Sequence, residues 1–386
     1  MSTNALILSG GGARAAYQVG VLQAVSDILP ALDNPFPIIC GTSAGAINAA
    51  AMAAHPGSFR QASRDLANTW NSLEVNHVFK TGWGAMLSGL GQAGASLFHE
   101  GLVGGGKSVA LLDNSPLRGK IEEFIPFANI QRRVDQGVLR ALSITALGYS
   151  SGESVSFFQG APDLEGWRRF RRVGTPEKIT VEHLLASSAI PAVFPAVCLN
   201  HEFFGDGAMR QMAPISSALH LGADRVFVIG VSGNRHAAAH WKYRKKVPSK
   251  RPPSIAQVLG QMFNSAFIDS LEGDIEHLER ANTLLNCIPE REREELKPLR
   301  PVDTLIISPS KPLDKIAGRQ IRNLPRSLRF FLGATGATAR GDGSAVASYL
   351  LFAHEYCHEL MELGYQDAMW ERDSIESFFA NTSKDK

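Results

Sequence analysis

The first third of the chain alternates short apolar runs with glycine-rich turns and helical stretches. The apolar run at residues 5–8 predicts a buried strand, and the pattern over 15–29 predicts a helix. A second strand is expected at 35–40, and the alanine-rich segment 44–54, which contains no helix breaker, predicts a buried helix. This alternation of strands and helices is typical of a three-layer α/β domain.

The rest of the chain predicts further strands and then a mostly helical second half. Strands are expected at 139–146, 155–158, 225–231 and 304–307. Helices are expected at 116–124, 181–187, 254–286 and over most of 317–379. No shift in composition is sharp enough to divide the chain. We therefore predict one α/β domain over residues 1–310, with a helical insertion at about 254–290, and a helical C-terminal extension over 311–386.

Composition places the chain among globular proteins and limits its partners. Of 386 residues, 44% are hydrophobic and 20% are charged, which is enough apolar material for one large core or two ordinary ones. The 39 basic and 37 acidic residues give a net charge of +2, so no global field favours nucleic acid. Four widely spaced cysteines and an N-terminus without an export signal predict free thiols in a cytoplasmic protein.

The pattern Gly-x-Ser-x-Gly occurs at residues 41–45, between a predicted strand and a predicted helix. This pattern is the nucleophile elbow, in which small residues such as Gly41 and Gly45 permit a strained turn that presents the serine. Amides of the following helix would favour negative charge that develops near Ser43. The pattern predicts Ser43 as a nucleophile, although an ordinary turn between a strand and a helix can carry the same letters.

A second glycine-rich segment follows the first predicted strand. Gly10, Gly11 and Gly12 leave the backbone free to turn N–H groups towards a tetrahedral oxyanion, and Arg14 lies two residues further on. A degenerate phosphate-binding loop has the same requirements and is the alternative. A dinucleotide-binding fingerprint is excluded by its spacing, because Ala15 stands at the position of its last glycine.

A third candidate is Asp206, which lies between Gly205 and Gly207 and is followed by Ala208. The two glycines would let the backbone bring the carboxylate close to another group, although an Asp-Gly pair alone is usually a turn. Upstream of it, residues 186–195 combine a helix end, small side chains and two prolines, which predicts a rigid corner.

Together these segments resemble the patatin-like phospholipase family. The resemblance rests on four motifs in the family's order: Gly-Gly-Gly-x-Arg at 10–14, Gly-Thr-Ser-Ala-Gly at 41–45, Ala-Ser-Ser-Ala-Ile-Pro-x-x-Phe-Pro at 186–195, and Asp-Gly-Ala at 206–208. It covers about the first 230 residues. It implies a three-layer α/β/α sandwich with a mostly parallel central sheet.

The resemblance also implies a Ser-Asp dyad. Ser43 would attack the ester carbonyl, Asp206 would accept its proton and then activate water, and Gly10, Gly11 and Gly12, with Arg14 nearby, would stabilise the oxyanion. The expected substrate is a phospholipid or lysophospholipid, and no metal or cofactor is required. Transient binding to the inner membrane surface is left open, as is the oligomeric state.

Three alternatives to a Ser-Asp hydrolase stay open. A histidine could serve as the base in a conventional triad, although no histidine lies in a glycine-flanked loop. The candidates after the acid are His220, His236, His240, His277, His354 and His358. Transfer of the acyl group to an acceptor other than water would use the same acyl-enzyme. A non-catalytic lipid-binding protein would not need both Ser43 and Asp206.

Two unrelated motifs compete with this interpretation. Residues 101–108 match the Walker A pattern of nucleotide-binding loops, but a poor strand precedes them and a turn follows within two helical turns, which favours a flexible loop. His354 and His358 match the His-Glu-x-x-His pattern of zinc peptidases on a predicted helix, with Glu371 or Glu376 as the nearest third ligand. A polar stripe on an amphipathic helix gives the same letters.

Three segments have a composition suited to a membrane surface. The uncharged run at 81–98 contains too many glycines for a membrane span and predicts a flap or an interfacial segment, with a plain surface loop as an equal alternative. The runs at 167–172 and 241–246 mix cations with aromatic residues, which suits anionic lipid headgroups, although a solvated loop is an equal alternative.

Overall fold

A ten-stranded mixed sheet forms the centre of the computed structural model. The structure describes residues 3–84, 88, 91, 110–211, 213–232, 254–293, 299–334 and 344–380. Its strands are β1 (Asn4–Leu8), β2 (Ile38–Thr42), β3 (Ala141–Gly148), β4 (Ser154–Gly160), β5 (Trp167–Arg169), β6 (Arg172–Pro176), β7 (Val197–Leu199), β8 (Glu202–Asp206), β9 (Arg225–Ile229) and β10 (Asp303–Ile307). The strand order is β10-β9-β1-β2-β3-β4-β6-β5, and β8 joins β3 to β7.

Helices flank the sheet on both faces. Among the described residues of the first third of the chain, the helices are α1 (Ala16–Ile28), α2 (Ala44–Ala54), α3 (Phe59–Asn71), α4 (Val75–Val78), α5 (Ser115–Phe124) and α6 (Ala128–Asp135). The middle of the chain adds α7 (Val181–Ser187), α8 (Ser216–His220), α9 (Ile255–Asn264), α10 (Ser270–Asn286) and α11 (Glu290–Arg293). The last five are α12 (Leu313–Gln320), α13 (Arg326–Ala334), α14 (Ser344–Leu350), α15 (His354–Trp370) and α16 (Arg372–Ala380).

Strand β1 shows why the sheet needs two layers of helices. Its five residues are all buried, and alternate side chains point to opposite faces. Leu6 and Leu8 join the larger apolar core, which includes α1, α2 and α15, whereas Ala5 and Ile7 join the second core with α8 and α10. The predicted three-layer α/β/α fold with a mostly parallel centre is confirmed, because β10, β9, β1, β2 and β3 are parallel neighbours.

The second predicted strand starts three residues later than expected. We placed it at 35–40, but β2 runs from Ile38 to Thr42. Pro35 and Pro37 have no N–H to donate to a neighbouring strand, so the ladder begins only after them. Strand β2 then continues through Gly41 and ends directly before Ser43.

Several short elements were missing from the sequence interpretation. The basic run at 167–172 forms most of a β-hairpin, in which β5 pairs antiparallel with β6. Trp167 stacks on Phe158 and His220, whereas Phe170 is 83% exposed at the turn. The aromatic run before Asp206 is strand β8, and the helix expected over 254–286 is interrupted by a π-helical segment at Ser265–Asp269.

The C-terminal helices pack against the first helix of the chain. Helix α15 lies along α1, and the two backbones meet at two glycines. A Cβ atom at Gly20 would lie 1.8 Å from the carbonyl oxygen of Met361, and one at Gly364 would lie 2.1 Å from that of Tyr17. Ser310 also donates its N–H to Asp367 of α15 at 2.9 Å. The residues after 310 therefore contribute to the main core, and a domain boundary at 310 stays a prediction.

No helix in the described ranges is both long and apolar enough to span a bilayer. Several sequence predictions lie outside the described residues: the Walker A match at 101–108, most of the interfacial run at 81–98, the basic run at 241–246, and His236 and His240.

Candidate active site

Ser43 occupies a strained turn between β2 and α2. Its backbone has φ 55° and ψ −130°, a conformation that is rare for a residue with a side chain. The turn closes tightly: a Cβ atom at Gly45 would lie 2.3 Å from the carbonyl oxygen of Leu8, and one at Gly41 would lie 2.5 Å from that of Gly45. The turn at Ser43 is therefore strained, and close backbone contacts leave no room for a side chain at either glycine; that the turn serves as a nucleophile elbow stays a prediction.

The sheet brings Asp206 to Ser43 across 163 residues of sequence. Parallel β2 ends where Thr42 pairs with Thr145, and antiparallel β8 ends where Asp206 pairs with Ala146. Because β4 occupies the other side of β3, β2 and β8 meet end to end along one side of it. The Oγ of Ser43 donates to Oδ2 of Asp206 at 2.6 Å.

The Asp206 carboxyl is fully buried, and its protonation is finely balanced. Burial raises its pKa to about 7, while hydrogen bonds from Ser43 and from the backbone N–H of Ala208 act in the opposite direction. The Ala208 N–H donates to Oδ1 at 2.9 Å, which leaves Oδ2 for the serine hydroxyl. A carboxylate with a pKa near neutrality in contact with a hydroxyl can accept its proton and return it.

Ser187 is a site residue that sequence reasoning missed. Its Oγ accepts the backbone N–H of Ser43 at 2.8 Å and donates to the carbonyl oxygen of Thr145 at 2.6 Å. The side chain is completely buried. Asp206 is tied to the same motif, since its N–H donates to the carbonyl of Ala189 at 2.9 Å. Residues 186–195, the predicted rigid corner, thus accept hydrogen bonds from the backbone N–H groups of both Ser43 and Asp206.

The glycine-rich loop approaches Ser43 from the neighbouring strand. The Cβ position of Gly10 lies 3.1 Å from that of Ser43. Gly12 has φ 54° and lies against the carbonyl oxygen of Tyr349, 2.2 Å from where its Cβ would be, so a side chain there is excluded. Gly12 and Ser43 line the same cavity. The backbone N–H of Ala44 lies in the first turn of α2, where N–H groups have no hydrogen-bond partner within the helix. It could therefore donate a hydrogen bond near Gly12 and Ser43.

The Arg14 side chain contacts helix α14. Its Nε donates to Oγ of Ser348 at 2.8 Å, and its guanidinium lies 4.1 Å from the centre of the Tyr349 ring. No hydrogen bond joins it to Ser43 or Asp206. Arg14 thus connects the glycine-rich loop to α14, and its role in stabilising an oxyanion stays a prediction.

An apolar cavity that opens to solvent adjoins Ser43, and its enclosed part has a volume of about 50 Å³. Its walls come from five helices, α2, α3, α4, α5 and α14, and from the loops after α7 and α14. The lining side chains include Ile47, Trp70, Leu73, Val78, Leu117, Phe124, Ile190, Phe194, Tyr349 and Phe352. Lys120 and Thr69 are among its few polar members. The lining is thus mostly apolar, as binding of a hydrocarbon group requires.

The described residues give less support to a histidine base or to a zinc site. His220 stacks on Trp167 and contacts Ser216, and no described histidine hydrogen-bonds to Ser43 or Asp206. His354 and His358 do share a face of α15, with ring centres 5.9 Å apart. Nowhere in those ranges do three or more His, Cys, Asp or Glu side chains form a group suited to a metal ion.

Comparison with known proteins places these residues in a family context. The family model described as Patatin-like phospholipase matches residues 6–219. No curated protein matches the sequence. The human GIVD cytosolic phospholipase A2 aligns in structure with a TM-score of 0.48 and 11% identity, over 100% of this chain and 61% of the human one. VipD from Legionella pneumophila aligns with a TM-score of 0.29 and 12% identity, over 99% of this chain and 88% of the other.

Proposed function

Because the chain belongs to the patatin-like phospholipase family, whose members are lipid acyl hydrolases, we propose that it cleaves fatty-acyl esters of phospholipids or lysophospholipids. We further propose that Ser43 and Asp206 are its catalytic dyad. The observation that carries this proposal is the 2.6 Å hydrogen bond between a strained serine and a buried carboxyl whose pKa is about 7.

The reaction follows from this geometry in two halves. Ser43 Oγ attacks the ester carbonyl carbon while its proton passes to Asp206, and amides near Gly12 and Ala44 face the developing oxyanion. Asp206 then protonates the departing alcohol, which leaves an acyl ester on Ser43. Water loses a proton to Asp206 and attacks that ester, the fatty acid leaves, and the proton returns to Ser43.

The apolar cavity supports a lipid as the acyl donor. Its walls are almost entirely hydrocarbon and aromatic, so an acyl chain would gain free energy by leaving water, at about 0.8 kcal/mol for each buried methylene. Tyr349 and Phe352 come from beyond the matched family segment, which ends at residue 219. The C-terminal helices would therefore help to define which acyl chains fit.

Incubation of the wild type with phosphatidylcholine and lysophosphatidylcholine vesicles tests this function. We expect release of free fatty acid, measured by mass spectrometry, at the same rate with and without EDTA. A fluorophosphonate probe is expected to label the Ser43 peptide alone. Absence of release from both lipids, or labelling at another serine, would contradict the proposal. Transfer of the acyl group to an added alcohol in preference to water would identify an acyltransferase instead.

Replacing Ser187 by alanine is expected to lower kcat about 5- to 100-fold. The Ser43 N–H would lose its buried acceptor, which costs about 1–3 kcal/mol and loosens the strained turn. Turnover of a soluble p-nitrophenyl ester measures the change, and KM should move much less than kcat. Ser143→Ala is the matched control, because Ser143 is also buried in β3 and its Oγ has no hydrogen-bond partner in the described structure. Equal kinetics in the two variants would show that Ser187 does not position Ser43.

A further inference from the structure

An exposed aromatic pair lies where α13 meets the segment after α4. Trp83 is 52% exposed and Phe330 is 66% exposed, and their ring centres are 5.6 Å apart. Large apolar side chains that contact each other in solvent are an uncommon arrangement, and such patches often mark an interaction site.

Helix α13 is amphipathic, and its exposed side carries cations beside the aromatic pair. Ser327 and Leu328 are buried, whereas Arg326, Arg329 and Phe330 are exposed. Residues three and four apart are neighbours on a helix surface, so Arg326 lies beside both Arg329 and Phe330 on the exposed side of α13. In the described ranges neither arginine forms an ion pair. We name Trp83, Arg326, Arg329 and Phe330 the aromatic–arginine face.

The surrounding segment is strongly basic, although the whole chain is nearly neutral. Residues 311–330 contain six cations and one acid, a net charge of +5, against +2 for all 386 residues. The cations are Lys311, Lys315, Arg319, Arg322, Arg326 and Arg329, and the acid is Asp314. Of these, Arg319 is paired with Glu359 of α15. The remaining positive charge is complementary to an anionic surface.

A short segment of chain connects this face to a wall of the cavity that adjoins Ser43. The Ser327 hydroxyl donates to the carbonyl of Thr81, which fixes α13 to the segment that leads from α4 to Trp83. Val78, the last residue of α4, and Leu73 just before α4 line the cavity. The aromatic–arginine face is thus anchored within a few residues of a cavity wall.

We propose that the aromatic–arginine face docks on the surface of an anionic phospholipid bilayer. Aromatic rings partition into the interface between headgroups and acyl chains, and each arginine near an anionic leaflet contributes about 1 kcal/mol. The choice of a bilayer as partner rests on the proposed lipid substrate. Docking at this position would bring lipid to the cavity while the enzyme stays on the membrane surface.

The test measures vesicle binding without catalysis. Ser43→Ala protein is sedimented with vesicles of pure phosphatidylcholine or with vesicles of phosphatidylcholine mixed with anionic phosphatidylglycerol. We expect binding to the anionic vesicles that weakens at high salt. Trp83→Ala/Phe330→Ala and Arg326→Glu/Arg329→Glu should each raise the Kd at least about 10-fold.

Two controls match these changes elsewhere on the surface. Trp370→Ala removes an aromatic side chain that is 88% exposed, and Arg132→Glu/Arg291→Glu makes the same charge change on α6 and α11. Melting temperatures of all variants confirm that they fold. The proposal fails if the controls lose as much affinity as the test variants, or if anionic vesicles are not bound. It also fails if light scattering shows that Trp83→Ala/Phe330→Ala only dissociates a dimer. Because the binding assay uses Ser43→Ala, its result is independent of whether the wild type hydrolyses lipid.

Discussion

Ser43→Ala and Asp206→Asn are each expected to lower kcat for ester hydrolysis by at least about 10³-fold. The alanine variant has no nucleophile, and the amide of the asparagine variant cannot accept the serine proton. In the wild type, kcat/KM should rise with pH and level off above about pH 7, because Asp206 must lose its proton before it can act as base. Initial rates with a soluble ester, from pH 5 to pH 9, measure both effects.

The stability of Asp206→Asn shows whether this variant is inactive because it lacks the catalytic base or because its fold is damaged. Burial raises the pKa of Asp206 from 3.8 to about 7, so the fold favours the protonated acid. The contribution of protonated Asp206 to the free energy of unfolding is fully present below about pH 4 and is lost as the pH rises through about 7. Asparagine does not ionise, so Asp206→Asn should be more stable than the wild type at pH 8, by roughly 1–4 kcal/mol. An inactive variant that unfolds more easily at pH 8 would contradict this account of Asp206.

Gly364→Ala is expected to destabilise the protein by about 1–3 kcal/mol or more. Its Cβ would lie 2.1 Å from the carbonyl oxygen of Tyr17, so α15 and α1 would have to separate. Since Tyr349 and Phe352 lie just before α15 and line the cavity, activity should fall as well. Thermal and urea unfolding followed by circular dichroism measure the free energy of unfolding.

Gly273→Ala is the matched control in another helix. Gly273 lies within α10, and no atom lies within 4 Å of the position that its Cβ would occupy. Alanine there should stabilise the helix by up to about 1 kcal/mol. If both variants change the free energy of unfolding in the same direction and by the same amount, the close contact between α15 and α1 is not a main source of stability.

Much of the fold could be predicted from the sequence, because local patterns and global structure agree there. The apolar run at 5–8 and the alanine-rich run at 44–54 became β1 and α2 with at most one residue of difference. The family membership followed from four short motifs and is confirmed by the match over residues 6–219. The pairing of Ser43 with Asp206 was implied by the same motifs, and their catalytic roles stay a proposal.

The remaining features depend on contacts between distant segments. Ser187 was visible only as a small residue in a motif, since nothing local shows that its hydroxyl meets the Ser43 amide 144 residues away. The contacts of Arg14 with Ser348 and Tyr349 could not be predicted either, because Ser348 lies 334 residues away in the sequence. Strand β8 escaped detection because two aromatic residues followed by glycine resemble a turn as much as a strand.

The order of strands in the sheet also affects how the protein can be made by a ribosome. Strand β1, the first to be synthesised, pairs on one side with β2 but on the other with β9, in a register that joins Ala5 to Val226. At ordinary rates of translation the second partner emerges roughly 10–40 s later. Through that interval one edge of an apolar strand stays unpaired, and α1 still lacks α15. Nascent chains of intermediate length should therefore be the species most dependent on chaperones.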